Sequence, residues 1–336
     1  MRRKSGLATA AIVAVLVGGA AMFKLLAPQD YGLPKVEVLD PGPTGKRVEE
    51  AGLFGNYYPA AGEAPHPAIL LLGGSEGGLG SGVKHMALSL QREGFSVLQL
   101  AYFGTPDTQE SLERIPLELF DRALAWLGAQ PGVDAKRLAL VGGSKGAEAV
   151  LLVATRHPEV RSVVAGMPTS VAWNGVNWKR GGQSESASWT SGGAELATMP
   201  FSYWNQAEGV ISVYRSIEDP DQRASAERAA IPIERAHAET LLVCGEAETM
   251  WPACPMSRAI AARAAKLGGP EVHVLTYADA GHLVFGPPIL PDNAFYQRLD
   301  MLGGTVEGNA AARADSWPRI IDFIRTSTMP RSSHIE

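Results

Sequence analysis

The segment Leu138 to Glu148 limits what this chain can fold into more than any other. Four apolar residues, Leu138-Ala139-Leu140-Val141, run straight into Gly142-Gly143-Ser144-Lys145-Gly146, and helix-compatible spacing continues from Lys145 to Arg156. So short and continuous an apolar run predicts a strand covered on both faces. A serine between such a strand and a helix, with glycine two residues before and two after, is the strand–turn–helix context of a nucleophile elbow. The glycines are needed because the strained turn brings strand and helix too close for side chains beside the serine. The same turn lifts the Ser144 hydroxyl out of the sheet and aims the Lys145 backbone N–H, in the first helical turn, toward a developing oxyanion.

Similar apolar runs recur at Ala68 to Leu72, Phe95 to Ala101, Ser162 to Ala165, Thr240 to Cys244 and Val272 to Tyr277. Helix-period stretches separate them at Lys84 to Glu93, Leu112 to Gln130, Ser257 to Leu267 and Ala311 to Thr326, with Pro318 expected to kink or restart the last. This alternation predicts the α/β class, with a mostly parallel, doubly wound sheet. Ahead of it, Val36 to Leu39 and Arg47 to Tyr58 read as a leading hairpin across Pro41-Gly42-Pro43. The interval Pro168 to Pro232 carries no strand-like run but holds Trp173, Trp178, Trp189 and Trp204. It reads as a Trp-rich lid or insertion, either a wall over a substrate pocket or a small satellite core pinning a long loop. Trp173, Trp178 and Trp204, with Tyr102 just past the Phe95 to Ala101 run, are the candidate substrate-binding residues.

A serine hydroxyl needs a base to attack at neutral pH, and the base needs an orienting acid. His66 and His85 precede Ser144, His157 ends the elbow helix, His273 lies in a strand and His334 in a polar tail. His282, in Asp279-Ala280-Gly281-His282, follows the last buried strand at the carboxyl edge where open α/β sheets place their sites, and is the candidate base. The loop Gly245 to Pro252, after the preceding strand, offers Glu248 as the favoured acid, with Glu246 and Asp279 in reserve. Gly73-Gly74-Ser75-Glu76-Gly77-Gly78 follows the Ala68 to Leu72 strand, and Ser75 or Glu76 is expected to supply a second oxyanion N–H beside that of Lys145.

Several classes fall away. Thirty basic against thirty-five acidic residues leave a net charge of -5, which gives no electrostatic footprint for nucleic acid. The glycine loop is followed by Val83 rather than a P-loop lysine, no two histidines stand at i and i+4, and no calcium-loop spacing occurs, so no nucleotide, metal or other cofactor is expected. The two cysteines, Cys244 and Cys254, are compatible with one bridge or two free thiols. Arg2, Arg3 and Lys4 precede an uncharged stretch, Gly6 to Phe23, ended by Lys24. This predicts a signal peptide or membrane anchor over residues 1–26, with possible anchoring through 6–23 and the remaining chain outside the cytoplasm. A linker and leading hairpin (27–65) and a catalytic domain (66–336, insertion 168–232) complete the expected organisation.

With these residues in hand, the chain resembles the C-terminal catalytic domain shared by acyl-CoA thioesterases and bile acid-CoA:amino acid N-acyltransferases, a branch of the α/β-hydrolase superfamily. The markers are the Gly73 to Gly78 loop, Ala101-Tyr102-Phe103-Gly104, Ile115-Pro116-Leu117-Glu118, Gly142 to Glu148, Gly245 to Pro252 and Ala280-Gly281-His282. The resemblance implies an α/β-hydrolase fold, Ser144 as nucleophile, Glu248 as acid, His282 as base, and an acyl thioester as substrate. Three departures stand out. The family usually places Asp where Glu248 stands, members with transferase activity tend to carry Cys where Ser144 stands, and there is no room between Lys24 and Pro65 for the β-sandwich domain of animal members. The serine tilts the expectation toward hydrolysis. An exported carboxylesterase of dienelactone-hydrolase type, an N-acyltransferase and an anchored binding protein on a hydrolase fold are the alternatives.

Overall fold

The apolar runs become neighbouring strands of one sheet, built by a chain whose computed structural model describes residues 36–329 apart from 64 and 181. The N-terminal segment, the linker to Pro34 and His334 lie outside the described residues. In chain order the strands are β1 (Lys46–Glu50), β2 (Leu53–Tyr58), β3 (His66–Leu72), β4 (Ser96–Ala101), β5 (Ile115–Pro116), β6 (Val133–Gly143), β7 (Val160–Gly166), β8 (Asn174–Asn177), β9 (Gly182–Ala187), β10 (Trp189–Ser191), β11 (Ala194–Glu195), β12 (Glu239–Gly245) and β13 (Val272–Tyr277). The helices are α1 (Ser81–Arg92), α2 (Glu118–Gly128), α3 (Lys145–Ala154), α4 (Arg223–Ala229), α5 (Ala253–Leu267) and α6 (Val306–Ser327).

Eight strands form the main sheet in the order β1-β2-β4-β3-β6-β7-β12-β13. Only the β1/β2 and β2/β4 pairings are antiparallel. From β4 to β13 the sheet is parallel, as the interleaved helices require. Alternation along each strand sorts its side chains onto two cores. On β3, Leu70 and Leu72 pack with Phe120 and Leu124 of α2 and Leu151 of α3. Ile69 and Leu71 pack on the other face with Leu90 of α1 and Trp317 and Ile321 of α6. Each such aliphatic or aromatic side chain contributes about 1.5–3 kcal/mol through burial.

Four expectations are corrected. Val36 to Leu39 is not a strand, and the leading hairpin lies within residues 46–58. It turns at Ala51-Gly52, both with positive φ (56° and 69°), the two-residue geometry that suits strand twist. Its two strands form one end of the main sheet. The second helix starts at Glu118, not Leu112, because Pro116 drives Ile115 into extended backbone, and both residues pair with Trp189 and Thr190. The interval 168–232 does contain strands, β8 to β11, but they are short and polar enough to leave no apolar signature. Finally, α6 runs unbroken through Pro318. Burial of Trp317, Ile320, Ile321 and Ile324 around it outweighs a proline cost of about 3 kcal/mol.

Candidate active site

Ser144 sits between β6 and α3 with φ 55° and ψ -122°, a conformation that side chains rarely adopt. Sterics force it there. A Cβ on Gly142 would lie 2.6 Å from the Gly146 carbonyl carbon, and one on Gly146 would lie 2.5 Å from Leu72 O. Strand, helix and the end of β3 are thus in backbone contact around a half-exposed serine.

His282 reaches this serine from the loop after β13. Its Nε2 lies 3.0 Å from Ser144 Oγ, and its Nδ1 is hydrogen-bonded to Glu248 Oε1. The Ser–acid–His order thus brings Ser144, Glu248 and His282 into one hydrogen-bonded chain across three loops at the carboxyl edge of the sheet. His282 is 6% exposed, and the Glu248 side chain 3%. Glu248 Oε2 is buried and has no hydrogen-bond partner among the described residues. The Trp251 ring meets the imidazole edge-on at 5.8 Å and is itself held by a bond from its Nε1 to Met167 O. The reserve acids lie apart from the imidazole. Glu246 forms a surface pair with Arg258, and Asp279 is exposed and uses its carbonyl to accept from Thr305 N–H.

The Gly73 to Gly78 loop faces Ser144 from the other side. A Cβ on Gly74 would lie 3.0 Å from Ser144 Cβ and 2.9 Å from Glu76 Oε2. Glu76 keeps an exposed outer surface, yet its carboxylate folds back under the loop, where Oε1 accepts from Gly74 N–H at 2.8 Å. Burial raises its pKa above the ordinary carboxyl value, while the N–H groups of Glu76 and Gly74 and the charge of His282 act to lower it. One backbone donor of this loop, the Gly74 N–H, is therefore turned onto the loop's own carboxylate. Tyr102, completely buried, is not on an open substrate wall: its hydroxyl donates to Gly73 O and Gly74 O and braces the loop. Burial pushes its phenol well up, and the charges of Glu76 and Glu148 add to the shift.

Sequence reasoning missed a buried ion pair beneath the elbow. Lys145 Nζ and Glu148 Oε2 are 2.7 Å apart, with side chains 4% and 0% exposed. Burial lowers the Lys145 pKa and the charge of Glu148 opposes it. Glu148 Oε1 accepts from the Trp173 backbone N–H and from Trp189 Nε1, so one carboxylate ties the inserted segment to the nucleophile helix. The i,i+3 spacing of Lys145 and Glu148 was its only trace in the sequence, and spacing alone does not reveal burial.

The tryptophans divide. Trp173 and Trp189 are fully buried, Trp173 stacking on Phe201 and meeting Tyr214 edge-on. Tyr214 in turn packs on Trp251, which completes an aromatic series from the insertion to His282. Trp178 and Trp204 are 38% and 57% exposed. Among the described residues, no cluster of three His, Cys, Asp or Glu side chains is placed to hold a metal ion. A disulfide joins Cys244, at the end of β12, to Cys254, at the start of α5, and so closes the loop that carries Glu248.

Residues 115–330 match the family described as BAAT / Acyl-CoA thioester hydrolase C terminal. The chain is 28% identical over 296 residues to bile acid-CoA:amino acid N-acyltransferase of Mus musculus, covering 86% of this chain and 67% of that one. It is 27% identical to acyl-coenzyme A thioesterase 5 of Mus musculus, over 84% of this chain and 65% of that one. It thus spans about two thirds of the length of these curated relatives. Among solved structures, a putative dienelactone hydrolase from Klebsiella pneumoniae aligns with TM-score 0.52 at 14% identity, over 84% of this chain and 97% of that one. An esterase from Pyrobaculum calidifontis aligns with TM-score 0.53 at 15% identity, over 85% of each. These likenesses concern the fold, which is that of the α/β hydrolases.

Proposed function

We propose that this chain, which belongs to the BAAT / acyl-CoA thioester hydrolase C-terminal family, is a serine hydrolase that cleaves acyl thioesters through an acyl-enzyme on Ser144. The observation that carries the reading is the hydrogen-bonded series from Ser144 Oγ through His282 to Glu248. In the first half-reaction Ser144 Oγ attacks the carbonyl carbon as its proton passes to His282 Nε2, and Glu248 stabilises the imidazolium. The oxyanion is met by the Lys145 N–H and by the Ser75 or Glu76 N–H. Collapse expels the thiolate, which takes the proton from His282. Water then attacks the acyl-enzyme, gives its proton to His282, and the acid leaves as the proton returns to Ser144.

Trp178 and Trp204 remain the substrate-side candidates, while Tyr102 and Trp173, both fully buried, act as structural supports. The chain works outside the cytoplasm, exported or anchored. Support comes from the basic N-terminus with its uncharged stretch, and from the Cys244–Cys254 bond, a linkage that persists in oxidising compartments. The same bond favours a second reading, turnover of plain carboxylic esters, because CoA thioesters are cytoplasmic metabolites.

The test is release of CoA from an acyl-CoA series and of phenol from a matched aryl-ester series, with Ser144→Ala as blank. Serine-dependent CoA release supports the thioesterase, and ester turnover alone supports the second reading. No serine-dependent turnover of either, with no fluorophosphonate labelling of Ser144, overturns both.

A further inference from the structure

His282 and Glu248 stand on separate loops, 34 residues apart in sequence. A third segment, Leu302 to Thr305, runs between those loops and is hydrogen-bonded to both. Its Gly304 N–H donates to Ala247 O at 3.0 Å on the acid's side. On the base's side, His282 N–H donates to Leu302 O at 3.0 Å and Thr305 N–H to Asp279 O at 2.9 Å. Glu248 bridges Gly303, and Ala280 bridges Gly304, in β fashion. The fit leaves no room for side chains: Gly303 and Gly304 have φ of 93° and 71°, and a Cβ on Gly304 would lie 2.5 Å from Gly281 N.

This strap is fixed from below by Asn309, which is fully buried in α6. Its Nδ2 donates to Gly303 O and Thr305 O at 3.0 and 2.9 Å, and its Oδ1 accepts from Gly281 N–H at 3.0 Å, the residue before His282. One turn further on, Arg313 donates to Leu283 O, the residue after it, and to Phe285 O and Pro287 O. The same helical face therefore holds both sides of the base.

We propose that Asn309 is a positioning residue for the acid–base pair, acting through the Leu302–Thr305 strap to hold the Glu248 and His282 loops in a single register. The proposal rests on the function assigned above for its kinetic consequence, but its geometric consequence is independent of any substrate. In Asn309→Ala all three bonds are lost. In Asn309→Asp the shape and the acceptor remain while both donors to the strap are lost. Thr328→Ala is the control, because it removes the Thr328 hydroxyl's bond to Ile324 O at the far end of the same helix.

The experiment measures, on the full chain, the low-field proton resonance of His282 Nδ1, steady-state turnover of the best ester or thioester, and the melting temperature. Both Asn309 variants are expected to lose or broaden the low-field resonance and to lower kcat at least tenfold with KM within about threefold, while Thr328→Ala keeps the resonance and the wild-type kcat. Should Asn309→Ala not fold, Asn309→Asp carries the same readings. An Asn309→Asp protein that keeps both the resonance and kcat overturns the proposal, as does a loss that Thr328→Ala reproduces at equal melting temperature. A wild type that shows the resonance but turns over nothing defeats the assigned function and still leaves the strap tested by the resonance.

Discussion

At the scale of single residues, two carboxylates near Ser144 have opposite settings, Glu248 behind His282 and Glu76 in the glycine loop. Glu248 presents one oxygen to His282 and leaves the other bare in the protein interior. Its whole polar function is thereby committed to the imidazole, and Glu248→Gln is expected to lower kcat by about 10³–10⁴ without a matching change in KM. Glu248→Asp, the residue usual at this position in the family, withdraws the carboxylate by one methylene from loops fixed for the longer side chain. Steady-state kinetics should show a loss of about 100-fold. The Glu76 carboxylate is held by the Gly74 N–H, and burial raises its pKa. A carboxyl whose pKa is higher folded than unfolded favours folding below the unfolded value, and that contribution is lost as pH rises through the folded value. Glu76→Gln should therefore melt higher than wild type at neutral pH. The gap should close as pH falls through the carboxyl range, and melting curves at pH 4 and 7 decide it.

At the scale of elements, the elbow was legible because its requirements are local: an apolar strand, two glycines where backbones touch, and a helix that starts at once. The base and acid loops were legible from their place after buried strands. The strap was not, since Gly303-Gly304 reads as an ordinary turn until the three loops are brought together. Nor was Glu148, whose partners Trp173 and Trp189 lie 25 and 41 residues away. Glu148→Ala would strand a buried ammonium and two N–H donors, at an expected cost of about 3–5 kcal/mol by denaturant unfolding. The β8 to β11 strands escaped for the converse reason, being stabilised by pairing and side-chain hydrogen bonds without apolar periodicity. The loop closed by Cys244 and Cys254 is short, so replacing both by serine should lower stability by about 2–3 kcal/mol, read in the same unfolding experiment.

For the whole molecule, the sequence alternation was enough to specify a parallel sheet with a site at its carboxyl edge, because helix and strand periods are properties of short windows. Among the described residues no helix is long and apolar enough to cross a membrane. Removing residues 1–26 should shift the protein from an exported or membrane fraction to the cytosolic one, followed by fractionation and immunoblotting. That relocation also changes the molecule itself. Both cysteines of the bridge are buried, so thiols that fold unpaired are shielded from later oxidation and a formed bond is shielded from later reduction. The redox history of a preparation is then written into it at folding. Batches from a reducing cytosol and from a periplasm are two chemical species with one sequence, and their activities have to be compared as such.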